Sequence, residues 1–464
     1  MNKKAYLNIL NTALATGGDY AEIYIEDATG YVVVIESGKV EASSVDQSYG
    51  AGLRILRGTE SVYGYTNEVN EKGLLALASS LSNSFDGKQQ IEVKDLKLKH
   101  IRDKHQRLEP LSKVSIDEKI AYIRKGDDVM RNYDPKIIRT KSAFANSVKN
   151  VTIVNSKGYI YKDYKERGRL SLVAIASDGN KFETGFEGPG TMSGFEFFKN
   201  QIDIVSLAKS VAKSALTMLN AADCPSGKMT VVIGPGNGGV IFHEACGHSL
   251  EATSVSKKLS VFSEKLGTQI ASPIVNAVDD GTIPNAWGSN NIDDEGNPTE
   301  RVVLIENGIL KNYLIDEVGA RRTGMRPNGC SRRESYKFEP TSRMSNTYIC
   351  NGKSTPEEII ANTKLGLYAK VLSGGSVNPS TGEFNFGASE AYIIRDGKIA
   401  EPVRGASLIG SGRDVLMNID MVGNDCDRSN GVCGSVSGMI PVDIGQPTIR
   451  VQNILVGGNG GELK

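Results

Sequence analysis

The amino-acid sequence predicts an α+β fold, with an N-terminal α+β domain followed by a C-terminal domain of mostly antiparallel β-structure. Three observations support this prediction. Apolar residues recur at helical spacing in four stretches of the first half. Short segments with alternating or β-branched residues lie between these stretches. In the second half, Asn-Gly and Asp-Gly pairs separate apolar segments, which is the pattern of β-hairpins.

The first unit of the N-terminal domain begins with a helix, because apolar residues recur at helical spacing between Tyr6 and Leu14. A secretory signal is the alternative there, and three polar residues that interrupt the apolar stretch argue against it. Segments of strand character then follow at residues 20–26, 30–36, 39–45, 50–56 and 61–65. A second helical stretch at residues 67–84 ends the unit.

A second unit repeats this order after a charged region around residues 86–113. One helix is predicted at residues 116–131 and another at residues 202–219. Between them, segments of strand character lie at residues 137–145, 151–155, 158–164, 170–176 and 181–186. Because helix, strands and helix recur in the same order, we expect residues 1–220 to form one domain with an internal duplication. An α+β domain without duplication is the alternative.

The C-terminal domain is predicted to cover residues 221–464 and to begin after a linker at residues 224–227. Within it, Asn-Gly at 307–308 and Asp-Gly at 396–397 each separate two apolar segments and predict a hairpin. All six cysteines lie in this half, at positions 224, 246, 330, 350, 426 and 433. Their irregular spacing does not resemble a disulfide framework, so we expect a cytoplasmic protein.

The composition argues against two classes of partner. The chain of 464 residues carries 54 basic and 54 acidic side chains, so it lacks the positive field that binds nucleic acid non-specifically. No apolar run approaches the length of about 18 residues that a membrane span requires. We therefore expect a folded protein that binds neither nucleic acid nor a membrane.

A glycine-rich segment follows a strand-like segment in the second half. Gly234, Gly236 and Gly239 fit the G-x-G-x-x-G pattern of dinucleotide-binding loops, which makes an oxidoreductase one hypothesis. That pattern requires a second strand ending in an acidic residue about 20 positions further on, and the sequence shows no such strand. The favoured interpretation is a glycine-rich turn that lets two backbones approach closely.

The segment after these glycines contains His243, Glu244 and His248. They form an H-E-x-x-x-H pattern, one residue longer than the H-E-x-x-H pattern of zinc proteases. In a regular α-helix, five residues rotate the second imidazole about 140° from the first, so both could not bind one ion. A π-bulge, or a helix that loosens at Gly247, would bring them together. Two histidines on a core helix are the alternative.

The scarcity of histidine favours a metal site. The chain has four histidines, and the two in the second domain flank one glutamate. A catalytic zinc usually has three protein ligands and one open position. The segment at residues 424–434 is the best source of the third ligand, because a thiolate completes a His₂Cys set. Cys426 and Cys433 are both candidates on this argument, whereas Cys246 is expected to face away from His243.

Several motifs occur in the order found in the TldD/PmbA family, and the sequence resembles that family through nearly all of the second domain. The motifs lie at residues 238–251, 285–289, 292–296, 305–310, 332–336, 343–346, 388–391, 421–425, 431–434 and 445–447. The resemblance implies a metalloprotease of the TldD type that binds Zn²⁺. It also implies His243, His248 and Cys433 as the zinc ligands, with Glu244 as the general base.

The family's Cys-Gly motif near residues 445–447 favours Cys433 over Cys426. A lysine commonly follows that motif, whereas this chain has Ser435. The intact H-E-x-x-x-H pattern resembles the active subunit type rather than the paralogue that lacks it. The resemblance further implies unfolded or extended peptides as substrates, and either a homodimer or a heterodimer with that paralogue. We interpret the family's association with DNA gyrase as indirect, because this chain is charge-neutral.

The predicted reaction is peptide-bond hydrolysis by zinc-activated water, with Glu244 accepting the proton and later delivering it. We expect low selectivity, because main-chain hydrogen bonds would hold an extended peptide. Arg332, Arg333 and Tyr336 are candidates for binding a substrate carboxylate or an oxyanion, and structural ion pairs are the alternative. The second hypothesis for the function is a non-catalytic peptide-binding subunit of a TldD/PmbA-type complex.

Overall fold

A computed structural model of the chain describes residues 1–378 and 381–463. It confirms the predicted α+β fold, because its helices and its mostly antiparallel sheets occupy separate segments of the chain. The strands of the first sheet lie between residues 20 and 191, and those of the other sheets lie between residues 222 and 457. None of the described helices is long and apolar enough to cross a membrane.

In the first half of the chain, the helices begin where polar side chains cap them. Asn2, Ser115 and Asp203 precede the first, third and fifth helices and accept hydrogen bonds from first-turn N–H groups. The elements are, in order, α1 (Lys3–Leu14), β1 (Tyr20–Glu36), β2 (Lys39–Arg57), β3 (Glu60–Thr66), α2 (Glu71–Ser82), β4 (Lys97–Lys99), α3 (Ile116–Arg131), β5 (Ile137–Asn155), β6 (Tyr159–Ser177), β7 (Phe182–Glu187), β8 (Gly190–Thr191), α4 (Glu196–Asn200) and α5 (Ile204–Leu219).

The first sheet has two similar halves. Strands β3, β2 and β1 are neighbours, and β5, β6 and β7 repeat this arrangement on the other side of the central β1–β5 pair. Helices α1 and α2 contribute to the apolar core of the first set, whereas α3 and α5 contribute to that of the second. The pairing and the order of elements therefore agree with the predicted duplication.

The strands of this sheet are longer than the sequence predicts. Pairs of short segments predicted between residues 20 and 56 merge into β1 and β2, and those predicted between residues 137 and 176 merge into β5 and β6, which have 19 residues each. The prediction of separate strands is wrong there because polar residues in the middle of β6 suggest a break. In the fold those residues are buried against the second half, as Lys165 shows by its 2.7 Å ion pair with Asp294.

The second half contains two larger sheets and one strand pair. One sheet has the order β17-β10-β24-β20-β18-β19-β9 with β21 beside β24, the other has the order β13-β12-β11-β16-β23-β22, and β14 pairs with β15. The elements are, in order, β9 (Ala222–Asp223), β10 (Gly227–Ile233), α6 (Val240–Phe242), α7 (Ala252–Val255), β11 (Ala277–Asp280), β12 (Arg301–Glu306), β13 (Ile309–Leu310), α8 (Glu317–Thr323), β14 (Ser331–Arg332), β15 (Thr341–Ser342), β16 (Asn346–Ile349), α9 (Pro356–Ala361), β17 (Leu365–Val377), β18 (Glu383–Arg395), β19 (Lys398–Arg404), β20 (Ser407–Ser411), α10 (Gly412–Met417), β21 (Ile419–Val422), β22 (Asp427–Ser435), β23 (Gly438–Gln446) and β24 (Ile449–Gly457).

Both predicted hairpins are present in this half. Asn307 and Gly308 connect β12 to β13, and Asp396 and Gly397 connect β18 to β19. All four residues have positive φ values, between 48° and 79°. Positive φ at both central residues is what a type I′ turn requires, and Asn, Asp and Gly adopt it most readily.

The glycine-rich segment after β10 forms a tight turn. β10 pairs with β24 in antiparallel fashion, and the next strand in the chain, β11, belongs to a different sheet. The parallel β-α-β unit of a dinucleotide site is therefore not formed by this segment. A Cβ atom on Gly239 would lie 2.5 Å from backbone atoms of Gly445 on β23. Glycine is required at this point because two backbones approach closely.

Buried charged groups join the two halves of the chain. Arg54 of β2 is fully buried and lies 3.1 Å from Glu22 of β1 and 2.5 Å from Glu295. Arg333 lies 2.6 Å from the other carboxylate oxygen of Glu22. Removing one member of such a buried network leaves an uncompensated charge, which is strongly destabilising. The network therefore holds the first sheet in a defined position against the second half.

Candidate metal centre

Residues His243–Gly247 form a single turn of π-helix after α6. The backbone N–H of His248 donates to the carbonyl oxygen of His243, five residues earlier. This wider turn returns His248 to the face that carries His243, and the centroids of the two imidazole rings lie 5.1 Å apart. Binding of one ion by both histidines requires a departure from a regular α-helix. The π-turn provides this departure.

Cys433 reaches the two histidines from a distant part of the chain. It lies on β22, and its Sγ is 3.4 Å from Nε2 of His243 and 3.2 Å from Nε2 of His248. The three candidate ligand atoms all lie within 4.8 Å of one another. Arg343 donates hydrogen bonds to the carbonyl oxygens of Cys433, at 2.7 Å, and Gly438, at 3.1 Å. Arg343 thereby holds the hairpin of β22 and β23 in place.

The chemistry of this donor set fits zinc. Imidazole nitrogen and thiolate sulfur are common zinc ligands, with bonds of about 2.0–2.1 Å and about 2.3 Å. In a tetrahedral arrangement these bonds separate nitrogen from sulfur by roughly 3.6 Å. The observed N···S distances of 3.4 and 3.2 Å therefore need only a small outward movement. Three protein ligands also leave one position open, as in catalytic zinc sites.

Glu244 lies beside this set of ligand atoms. Its Oε2 is 3.7 Å from Nε2 of His248, and 27% of its side chain is exposed. Its carboxylate accepts no hydrogen bond from the described residues, which leaves it available to water or substrate. Burial raises the pKa of Glu244, although the charge of His248 opposes this shift. A carboxylate with a raised pKa is a stronger base, as general-base catalysis requires.

Glu251 orients His248 through the ring nitrogen that does not face Cys433. Its Oε1 lies 3.1 Å from Nδ1 of His248 and 3.9 Å from Nε of Arg343. Burial alone would lower the pKa of His248, but Glu251 and Cys433 raise it well above its ordinary value. When Nδ1–H donates to a carboxylate, Nε2 becomes a more basic metal ligand.

The three residues predicted to bind substrate have different surroundings. Arg333 forms the buried ion pair with Glu22 described above. Tyr336 packs edge-to-face against Tyr65 of the first half, with ring centroids 6.1 Å apart. These contacts favour a structural role for Arg333 and Tyr336, which is the alternative to substrate binding. Arg332 differs from both, because no carboxylate of a described residue forms an ion pair with it.

The structure brings one of the two candidate cysteines to the histidines. Sγ of Cys426 is directed to the carbonyl oxygen of Ile349 at 3.5 Å, and burial raises the pKa of this thiol to about 11. Cys246 is fully buried in the apolar core of the second half. Cys433 is therefore the thiol that completes the cluster with His243 and His248.

Three family models match successive parts of the chain. The PmbA/TldA metallopeptidase C-terminal domain matches residues 226–458, the central domain matches residues 109–219, and domain 1 matches residues 21–84. Together these matches cover most of the sequence. The chain belongs to the PmbA/TldA metallopeptidase family. This membership confirms the family and the enzyme class that the sequence motifs predict.

Curated relatives of this family member carry corresponding names. A "Metalloprotease TldD homolog" from Haemophilus influenzae is 34% identical over 466 residues, covering 99% of this chain and 97% of the relative. The protein of that name from Buchnera aphidicola is 34% identical over 448 residues, covering 95% and 93%. A "Zinc metalloprotease TldD homolog" from Saccharolobus solfataricus is 26% identical and covers 95% of this chain and 97% of its own length.

Solved structures of low sequence identity share the fold. TldE from Thermococcus kodakarensis has a TM-score of 0.78 at 18% identity and covers 98% of this chain and 100% of its own. A Thermotoga maritima protein described as a candidate modulator of a DNA gyrase has a TM-score of 0.77 at 22% identity, with coverage of 94% and 96%. At these identities the likeness concerns the fold alone.

Sequence reasoning did not single out Glu251 or Arg343 as residues of the site. A signal existed for Glu251, because an acid three residues after a histidine can reach that histidine on one helical turn. No local signal existed for Arg343. It contacts Cys433 across 90 residues of sequence, and only the pairing of distant segments brings the two together.

The Glu251→Gln variant is expected to bind zinc about 10- to 100-fold more weakly, because a neutral amide supports the basicity of His248 less than a carboxylate does. Competition with a chelator of known affinity measures this change. Glu264→Gln is the matched control, since it removes a carboxylate from an exposed ion pair with Lys258. Equal zinc affinity in the Glu251→Gln variant and the unaltered protein would contradict the orienting role of Glu251.

Proposed function

We propose that the protein is a zinc-dependent metallopeptidase that hydrolyses peptide bonds in unfolded or extended peptides. In this proposal His243, His248 and Cys433 bind zinc, and Glu244 is the general base. One observation carries it: three suitable ligand atoms lie within 4.8 Å of one another beside a carboxylate that accepts no hydrogen bond from the described residues. The name of the Saccharolobus solfataricus relative supports zinc as the metal.

The side chains of the site have distinct tasks in this reaction. When bound, zinc supplies Lewis-acid activation of water and of the scissile carbonyl group. The carboxylate of Glu244 accepts a proton from the attacking water, and its raised pKa favours this transfer. The resulting carboxyl group then delivers the proton to the leaving nitrogen of the peptide. Glu251 and Arg343 hold His248 and Cys433 in position throughout.

The location of Cys433 supports extended peptides as substrates. Its strand, β22, is the last in its sheet, so one side of it has no strand neighbour among the described residues. Arg169 and Trp287 donate to the carbonyl oxygens of Asn430 and Gly431, so an extended peptide would add through main-chain hydrogen bonds to the remaining part of this edge, at residues 432–435. Recognition of this kind depends little on side chains, which favours unfolded substrates and low selectivity.

We extend the proposal to the assembly and to the compartment. TldE from Thermococcus kodakarensis has the same fold, which supports a homodimer or a heterodimer with a paralogous subunit. The six cysteines are unpaired, which supports a reducing compartment such as the cytoplasm.

Zinc analysis and peptide cleavage together test the proposed function. We expect one zinc ion per chain in the purified protein and cleavage of an unstructured peptide. A chelator should abolish cleavage, and added zinc should restore it, while a stably folded protein substrate stays intact. Cleavage that persists after complete removal of the metal would overturn the proposal. Peptide binding without cleavage by the zinc-loaded protein would overturn it in favour of a non-catalytic peptide-binding subunit.

A further inference from the structure

A cavity of about 190 Å³ lies between the first sheet and the second half of the chain. Lys165 and Arg167 of β6 line it from one side, and Arg332 of β14 and Ile440 of β23 line it from the other. Ile440 is the partner of Cys433 across the β22–β23 hairpin. The cavity therefore borders the hairpin that supplies the candidate thiolate ligand.

Several charged groups at this cavity already have partners. Lys165 lies 2.7 Å from Asp294, and Lys149 lies 3.2 Å from Glu26. The guanidinium of Arg333, which also lines the cavity, is neutralised in its ion pair described above. The carboxylate of Glu334 accepts a backbone hydrogen bond at 2.7 Å. The three cationic groups therefore do not require a ligand to balance their charge, whereas Glu334 leaves one negative charge at the cavity.

Arg167 and Arg332, by contrast, form no ion pair with a carboxylate of a described residue. No carboxylate oxygen of a described residue lies within 4.0 Å of either guanidinium. Arg167 donates only to neutral oxygens of residues 287–290, at 2.6–3.0 Å. Arg332 donates to the carbonyl oxygen of Met344 at 2.8 Å, and its Nε and Nη2 have no acceptor among the described residues. The exposed fractions of the two residues are only 7% and 4%.

A buried guanidinium that no carboxylate contacts is costly, so these two residues favour a negatively charged ligand, although the more distant carboxylate of Asp294 offsets part of the charge of both. Burial, followed by repulsion from Arg332, lowers the pKa of Arg167 to about 9. Burial also lowers the pKa of Arg332 to about 10, although the nearby carboxylates of Asp294 and Asp279 oppose this shift. The planar guanidinium group matches a carboxylate through paired N–H donors and binds it more specifically than an ammonium group does.

We propose that this cavity binds a carboxylate group of the peptide substrate, with Arg167 and Arg332 as the hydrogen-bond donors. The inference rests on the proposed peptidase function, because it assigns a specificity-determining subsite of that reaction. The carboxylate is either the C-terminus of the peptide or the side chain of an acidic residue. Because the cavity borders the hairpin of Cys433, a carboxylate anchored there would set which peptide bond of an extended chain reaches the metal centre.

Matched peptides test the proposal without any change to the cavity. The zinc-loaded Glu244→Gln protein is used, so that binding is measured by calorimetry without cleavage. Two acetylated pentapeptides differ only in a C-terminal carboxylate or carboxamide. A second series, all with carboxamide ends, carries Asp or Asn at each position in turn. We expect at least tenfold tighter binding of one carboxylate peptide than of its neutral partner.

Each result of this comparison has a defined meaning. A preference within the first pair identifies the C-terminal carboxylate as the ligand, whereas a preference within the Asp and Asn series identifies an acidic side chain. Both results support the cavity as a carboxylate subsite. Equal affinities within every pair would overturn the proposal.

Substitution of Arg332 then assigns the preference to the cavity. In Arg332→Gln, combined with Glu244→Gln, we expect the carboxylate preference to fall below twofold while binding of neutral peptides stays within twofold. Arg326→Gln is the matched control, because it removes an exposed arginine paired with Glu300, and it should keep the full preference. Thermal unfolding and zinc content show whether each variant is folded. A full preference in folded Arg332→Gln would overturn the assignment.

Different results would contradict the carboxylate subsite and the peptidase function. If the unaltered, zinc-loaded protein cleaves neither member of any peptide pair, that result contradicts the peptidase proposal. Zinc-dependent cleavage by the unaltered protein, together with equal binding of both members of each pair by the Glu244→Gln protein, contradicts only the carboxylate subsite.

Discussion

The Glu244→Gln variant should keep its zinc and lose cleavage of an unstructured peptide, with kcat/KM lowered by about 10²- to 10⁴-fold. Glutamine cannot accept a proton from the attacking water or return it to the leaving nitrogen. Zinc should remain because the ligand atoms belong to His243, His248 and Cys433, and Glu244 lies beside them. Elemental analysis and kinetics on the same preparation measure both effects.

A matched substitution shows whether the loss is specific. Glu306→Gln removes a carboxylate from an exposed ion pair with Lys311 and should cleave the peptide at the unaltered rate. Unchanged cleavage by Glu244→Gln would refute the general-base role. Loss of zinc along with activity would place Glu244 among the ligands and so contradict the proposed ligand set.

The Cys433→Ser variant should bind zinc at least about 100-fold more weakly, whereas Cys426→Ser should retain it. Serine has nearly the shape of cysteine, but its hydroxyl stays protonated near neutral pH and is a poor zinc ligand. Sγ of Cys433 lies within 3.4 Å of both histidine nitrogens, while Sγ of Cys426 faces the carbonyl oxygen of Ile349. Zinc content after equilibration with a chelator measures the difference.

The two cysteine variants control for each other. Both should keep the fold of the unaltered protein, since Arg343 holds the β22–β23 hairpin through main-chain carbonyl oxygens rather than through the thiol. Circular dichroism and thermal unfolding check this expectation. Stoichiometric zinc in both variants would refute Cys433 as a ligand, and loss of zinc in Cys426→Ser alone would assign the ligand to Cys426 instead.

Local sequence patterns predict the four longest helices of the first half and two tight turns of this fold well, whereas they do not predict the short helices of the second half. The sequence predicts a helix over 116–131, and the structure has Ile116–Arg131 with Ser115 as its cap. The Asn-Gly and Asp-Gly pairs predict two hairpins, and both are present. These features depend on residues close together in sequence, because capping, helical periodicity and positive φ are local properties.

The long strands are harder to predict because polarity is a poor guide to burial at an interface between two halves. Lys165 and Arg167 interrupt the apolar pattern of β6, yet both are buried and held by groups of the second half. Their partners lie more than 100 residues away in sequence. A pattern read along the chain takes these residues for a loop, whereas in the fold they join the two halves of the chain.

The candidate site likewise contains some features that local sequence predicts and others that only the fold reveals. The H-E-x-x-x-H spacing shows that a metal site needs a departure from the α-helix, and the structure supplies it as one π-turn. From the sequence, only the family resemblance favours Cys433 over Cys426. In the structure, the short distances from Cys433 to the two histidines favour it. Glu251 had a local signal that the sequence argument did not use.

The sequence by itself determined the residue types of the chemistry, the four longest helices, two hairpin turns, and the order in which they occur, because all of these depend on neighbouring residues. Only the tertiary structure decided which distant groups meet. It brings Cys433 to His243 across 190 residues, and it buries Arg167 and Arg332 at one cavity without a carboxylate partner among the described residues. Such contacts arise from the packing of sheets against one another, which no local conformational preference encodes.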